Sequence, residues 1–188
     1  WPELVFDATT AAYPERLNAA AELLDAALAR GQGDRIALIG QHGALTYRQL
    51  LARANQMARV IRDDWQLPTG SRILLRGENS PDLALAWLAV LKAGCIAVTT
   101  MPLLRARELT VIVEKAQVTA ALCQHALADA LVQTQATCPG LAHVLYFQAP
   151  PDHPQCADQH MDAHGTAFDN LATAQDDVAL IAFTSGTT

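Results

Sequence analysis

Arg72-Ile73-Leu74-Leu75-Arg76-Gly77-Glu78-Asn79-Ser80-Pro81-Asp82, then the apolar run Leu83 to Lys92, Gly94 and Ile96-Ala97-Val98, is the stretch that decides the fold. Arg72 to Leu75 reads as a strand. Ser80 is placed to accept the orphan N–H groups of a helix, Pro81 is preset for its first turn, and Asp82 meets its positive end. The helix from Leu83 to Lys92 is apolar nearly all round, which predicts that it lies between other elements rather than on a surface. Gly94 stops it and Ile96 to Val98 begins a second strand. Strand, helix and strand in immediate succession imply a parallel pair joined by a helical crossover.

The same alternation extends in both directions. Upstream, Pro14 is expected to open a helix with the apolar face Leu17, Ala21, Leu24 and Leu28, closed by Gly31. Ile36 to Ile39 reads as a strand that Gln41-His42-Gly43 turns back into Ala44-Leu45 as a hairpin. Thr46-Tyr47-Arg48-Gln49 has the spacing of a capping box, and the helix it starts buries Leu50, Ala54, Met57, Ile61 and Trp65. Downstream come a helix over Glu108 to Ala116, a strand over Thr119 to Leu122, a helix over Ala126 to Thr137 and a strand over Val144 to Phe147. Residues 148–169 turn polar and rich in Pro and His, the pattern of a long surface loop. The apolar run Val178 to Ala182 then reads as a buried strand. The expected class is α/β: a mostly parallel sheet with helices on both faces, plus a short β-hairpin.

Composition narrows the function classes. Of 188 residues, 51% are apolar and 17% charged, below the roughly 25% charged of an average globular chain, so a buried core is expected. A net charge of −6 lacks the basic face of a nucleic-acid binder. No apolar run reaches the roughly 18 residues of a membrane span. Cys95, Cys123, Cys138 and Cys156 show no paired short spacing and are read as reduced thiols of a cytoplasmic protein.

The most suggestive chemistry follows the last strand. Phe183-Thr184-Ser185-Gly186-Thr187-Thr188 supplies hydroxyl donors and a glycine where a strand opens into a loop, the position from which α/β sheets hold phosphate oxygens. It is not a Walker A loop, because no Gly-Lys-Ser/Thr follows, and Ser185 lacks the glycine flanks of a nucleophile elbow. Gly31-Gln32-Gly33 precedes a strand where a dinucleotide fingerprint must follow one, and is set aside. His153, Cys156, His160 and His164 have spacings open to zinc ligation, against the reading of a polar loop. Arg76 to Asn79 reads as a solvated turn with Asn79 or Ser80 capping, Trp87 as core packing, and Met101-Pro102 as a turn.

Four segments in order, Leu45-Thr46-Tyr47-Arg48-Gln49-Leu50, Trp87 to Gly94, Ile96 to Pro102, and Ala182 to Thr188, resemble the adenylate-forming superfamily of acyl-CoA synthetases, luciferases and peptide-synthetase adenylation domains. The last matches the front of that family's phosphate loop, without its Gly-x-Pro-Lys half and with Phe183 where many members have Tyr. Thr99 to Leu104, Arg105 to Leu109 and Tyr13 to Asn18 look most like benzoate and 2-aminobenzoate CoA ligases. The resemblance implies that residues 1–188 are the N-terminal part of a large adenylation domain. It implies a parent that activates an aromatic carboxylic acid with ATP and Mg2+ to an acyl-adenylate, then forms the thioester of coenzyme A. Thr184, Ser185, Gly186, Thr187 and Thr188 would bind nucleotide phosphates. No catalytic residue and no metal ligand is implied within this chain, and the chain alone would be inactive. An adenylation domain that loads a carrier protein, a non-catalytic nucleotide-binding domain and a metal-binding module centred on His153 to His164 remain the alternatives.

Overall fold

The computed structural model of the chain describes residues 13–41 and 43–184. Helix α1 (Ala26–Ala29) continues a π-helical turn over Ala21–Asp25. Strands β1 (Ile36–Gly40) and β2 (Gly43–Thr46) form an antiparallel hairpin, and α2 (Tyr47–Arg59) runs on through a π-helical turn to Asp64. Then come β3 (Arg72–Arg76), α3 (Pro81–Lys92), β4 (Ile96–Thr100), α4 (Ala106–Ala116), β5 (Val118–Gln124), α5 (Ala128–Thr137), β6 (His143–Phe147), α6 (Ala157–Asp162) and β7 (Leu180–Ala182). The five later strands make one parallel sheet in the order β6-β5-β3-β4-β7, so β3 lies at its centre.

Alternation along the strands explains the layers. Ile73, Leu75, Ala97, Ala120, Leu122, Leu145 and Phe147 face one way and share a core with α2, α3 and α6. Leu74, Val98, Ala121, Cys123, Val144 and Tyr146 face the other way and pack on α4 and α5. The α/β architecture, the helices on both faces and the separate hairpin are as expected from sequence. The local signals also hold: Thr46 and Gln49 form a reciprocal capping box, and the Ser80 hydroxyl accepts from the Leu83 amide at 3.2 Å. Trp87 packs on the core of the α2/α3 face.

Three expectations are corrected. Pro14 does not open the first helix. Residues 15–18 run alongside residues 171–175, with the Leu17 amide donating to the Thr173 carbonyl at 2.9 Å and the Thr173 hydroxyl to the Leu17 carbonyl at 2.7 Å. The helical start falls instead after Asn18, whose Oδ1 accepts the Ala20 and Ala21 amides.

Residues 148–169 are not loop throughout, because they contain α6. Ala157 and Met161 are buried, and Arg53 of α2 pairs with both Asp158 and Asp162. Polar side chains of α2 also capture the chain beyond α6: Asn55 donates to the Thr166 carbonyl at 2.7 Å, Gln56 to His164 at 2.9 Å and Arg59 to Ala167 at 2.7 Å.

The third correction is β7: among the described residues it pairs with β4 on one side and is not buried, with Val178 and Leu180 exposed.

Gly94 ends α3 with a φ of +66°, and a Cβ there would sit 2.8 Å from Leu171 Cδ1 and 3.2 Å from Thr69 Cγ2. Gly94→Ala therefore meets both the left-handed backbone cost and crowding, for an expected loss of about 2 kcal/mol. Urea denaturation checks this, and an unchanged midpoint would show that the turn relaxes without cost.

Candidate functional site

Open parallel sheets bind ligands beyond the carboxyl ends of their strands, and here these ends carry two distinct features. At the β7 end, the register Thr99↔Ala182 brings the exit of β4 beside the exit of β7. Phe183 and Thr184 continue from β7 and are exposed, while Ser185, Gly186, Thr187 and Thr188 lie outside the described residues. The proposed phosphate-binding set is thus represented in the described structure by Thr184.

The loop leaving β4 is held from below. Arg76, the last residue of β3, is buried, with Nη1 donating to the Met101 carbonyl at 3.1 Å and Nη2 to Pro102 at 3.0 Å and Leu104 at 2.8 Å. Burial lowers the pKa of its guanidinium from the ordinary arginine value. This corrects the solvated-turn reading at its first residue. Ser80 does the capping, while Arg76 points into the protein as a clamp. Met101-Pro102 is a turn, as expected.

At the β3, β5 and β6 ends lies a cavity of about 820 Å3 between the hairpin and the start of α3, with Leu38, Ile39 and Pro81 on its apolar side. A polar chain crosses it. The Glu78 amide donates to Gln124 Oε1 at 3.0 Å, Gln124 Nε2 to Gln148 Oε1 at 3.0 Å, and Gln148 Nε2 to Asp82 Oδ2 at 2.7 Å. Gln124 and Gln148 were not singled out from sequence. Gln124 ends β5 and Gln148 follows β6 directly, so strand ends alone would have flagged them. Thr184 is not among the described residues lining this cavity.

The histidine and cysteine series does not converge. His153 Nδ1 accepts the Gln155 amide while its ring packs against His125 and Tyr146. His160 pairs with the Pro154 carbonyl, His164 with Asp64 at 3.0 Å, and Cys156 is buried. Among the described residues, no group of three or more His, Cys, Asp or Glu is arranged to hold a metal ion.

All four cysteines are free and buried, and burial pushes the Cys95 thiol to about 11 and the Cys123 thiol to about 12. The thiolate is the reactive form, so iodoacetamide is expected to leave Cys95 and Cys123 unmodified in the folded chain and to label them in urea. Native-state labelling at either, read by mass spectrometry, would contradict this burial. No helix among the described residues is long and apolar enough to cross a membrane.

A doubly covered parallel sheet whose last strand runs toward a hydroxyl-rich stretch of sequence is the frame for comparison with known proteins. The profile of the AMP-binding enzyme family matches residues 25–188, and the chain belongs to that family. It is 26% identical over 181 residues to the 3-hydroxybenzoate–CoA/4-hydroxybenzoate–CoA ligase of Thauera aromatica, covering 93% of this chain and 34% of the ligase. It is 32% identical over 168 residues to a linear gramicidin synthase of Brevibacillus parabrevis, covering 87% of this chain and 3% of the synthase. Its fold superimposes with a TM-score of 0.86 on the crystal structure of the anthranilate CoA ligase AuaEII in complex with anthranoyl-AMP. That match has 20% identity and covers 94% of this chain and 34% of the other. The chain thus spans about a third of the length of the ligases it resembles.

Proposed function

We propose that these residues form the N-terminal part of the large domain of an AMP-forming acid–CoA ligase acting on an aromatic carboxylate. The observation that carries the reading is the family match over residues 25–188, which runs through the strand end at Thr184. In the full-length protein a carboxylate oxygen attacks the α-phosphorus of ATP, and pyrophosphate leaves to give the acyl-adenylate. The thiol of coenzyme A then attacks the carbonyl carbon, and AMP leaves as the thioester forms. Thr184, Ser185, Gly186, Thr187 and Thr188 hold β- and γ-phosphate oxygens through hydroxyl and backbone donors, stabilising the charge that develops on departing pyrophosphate. In the same reading ATP is used as its magnesium complex.

The aromatic preference is supported by the hydroxybenzoate ligase and by the anthranilate ligase fold. A second reading, adenylation followed by transfer to a carrier-protein thiol, is supported by the likeness to the gramicidin synthase. Because the chain spans a third of the ligases it resembles, the 188 residues alone are expected to give no turnover. A cytoplasmic setting belongs to the same reading and suits four free cysteines.

The test is ATP–pyrophosphate exchange by the full-length protein with benzoate, 2-aminobenzoate and an aliphatic acid. Exchange that depends on an aromatic acid supports the proposal. Folded protein that exchanges with none of them rules it out.

A further inference from the structure

Two cavities adjoin near the carboxyl ends of β3, β5 and β6. The outer one, of about 820 Å3, falls within the roughly 300–1,000 Å3 of small-molecule sites. Beneath it lies an inner chamber of about 110 Å3 between α2, α3 and α6, lined by Met57, Leu85, Leu122, Phe147 and Met161. Leu45 and Asp82 line both, so Asp82 stands where the polar cavity meets the apolar chamber. An apolar void that side chains leave unfilled is unfavourable, because its walls lack contacts that an apolar ligand group supplies.

The polar groups leading to Asp82 have a fixed direction. The Glu78 backbone N–H can only donate, so it holds Gln124 Oε1; this turns Gln124 Nε2 to Gln148 Oε1 and Gln148 Nε2 to the Asp82 carboxylate. Capping of α3 does not require that carboxylate, because the Ser80 hydroxyl already accepts the Leu83 amide and Pro81 has no N–H. Charge then decides what the cavity accepts. Among its described lining residues there is no lysine or arginine, while Glu78 and Asp82 both line it. Neither has a cationic partner among the described residues. Arg53 lines the inner chamber but is paired with Asp158 and Asp162. The excess charge is negative, which disfavours carboxylates and phosphates and favours a cation.

We infer that the paired cavities are a binding site for a small organic cation, a primary amine carried on an apolar or aromatic body. The ammonium sits at the Asp82 carboxylate. Gln124 Oε1 and Gln148 Oε1 each accept one hydrogen bond and keep a second lone pair as further acceptors. The apolar body lies against Leu38, Ile39 and Pro81 and reaches into the inner chamber past Leu45. Thr184 is not among the described residues lining either cavity, so this site is separate from the phosphate-binding segment.

The test uses the full-length protein and three probes of one shape: para-fluorobenzylamine, a cation at neutral pH, the neutral para-fluorobenzyl alcohol, and the anion para-fluorobenzoate. Fluorine NMR line broadening titrates each against wild type, Asp82→Asn and Ala86→Val, with thermal unfolding of each variant followed in parallel. The amine is expected to bind saturably, about 10-fold or more tighter than the alcohol and about 10-fold or more weaker in Asp82→Asn, where the charged hydrogen bond is lost. Ala86→Val narrows the inner chamber with every charge intact and is expected to weaken the amine as well. Excess benzoate probe is expected to leave the amine bound. Equal binding of amine and alcohol, no saturable binding, displacement by the benzoate, or unchanged amine binding in either folded variant overturns the inference. The comparison of amine with alcohol on wild type decides if a variant fails to fold. Protein that binds the amine as described but shows no pyrophosphate exchange removes the adenylation reading and leaves this site standing.

Discussion

Ser185→Ala combined with Thr188→Ala in the full-length protein is expected to lower acid-dependent ATP–pyrophosphate exchange by about 10²- to 10³-fold. In sequence the segment follows β7, whose carboxyl end lies on the side where open parallel sheets bind ligands. Donors aimed at departing pyrophosphate act where charge develops, so their removal is read mainly in kcat and not in the KM of the acid. Steady-state exchange with each substrate varied checks this. A double variant with wild-type kcat would show that the segment is a connector and not part of the phosphate site.

The second large effect concerns stability. Lys92 is fully buried, its ammonium meets Asp25 Oδ2 at 2.6 Å, and Asn170 donates to Asp25 Oδ1 at 3.0 Å. The cluster ties the first helical segment, α3 and the chain near Leu171 together, helped by Asn18, which donates to the Leu91 and Leu171 carbonyls. Asp25→Ala leaves a buried cation alone and is expected to cost about 3–5 kcal/mol, read as a lower urea midpoint. Lys92→Met leaves a partly exposed carboxylate that water can reach, so it is expected to cost less.

The two variants also differ in pH dependence. Burial lowers the Lys92 pKa, while the hydrogen bond and charge of Asp25 hold it up. Without Asp25 the folded value falls further below the unfolded one. The unfolded chain then binds more protons between the two values, so stability rises with pH through that window and the cost is full below it. Asp25→Ala should therefore recover stability as pH rises toward the ordinary lysine value, and Lys92→Met should not. A flat profile for Asp25→Ala would mean that Lys92 finds another partner.

Much of the fold was legible because its signals are local. Ser80-Pro81-Asp82, the Thr46/Gln49 pair and Gly94 each act within one turn of chain, and the structure uses each as the sequence suggested. What was missed depends on distant partners. Pro14 looked like a helix start, but residues 171–174 recruit the backbone around Leu17 and move the start to Asn18. Helix α6 was hidden in a polar stretch because two buried side chains, Ala157 and Met161, and the tie from Arg53 suffice to order it. Val178 to Ala182 is as apolar as an inner strand, and how far a strand is buried depends on the neighbours it meets, which composition does not show.

The candidate site divides in the same way. The hydroxyl-rich segment at Thr184 was visible as a motif, although its remaining residues lie outside the described structure. Arg76 was read as solvated because a charged residue at a strand end usually is, and the carbonyls it holds belong to a turn 25 or more residues away. Gln124 and Gln148 carry no sequence signal beyond their place at strand ends, and their connection appears when β5 and β6 are laid side by side.

The central claim is that the full-length protein activates a carboxylate by attack of its oxygen on the α-phosphorus of ATP. The most direct measurement is a single turnover with an aromatic acid labelled with heavy oxygen in its carboxylate, in the presence of ATP and coenzyme A, followed by mass spectrometry of the nucleotide product. The account predicts AMP carrying one labelled oxygen, because the bond between acyl carbon and that oxygen breaks when the thiol displaces AMP. ADP as the product, or AMP without label, would contradict it.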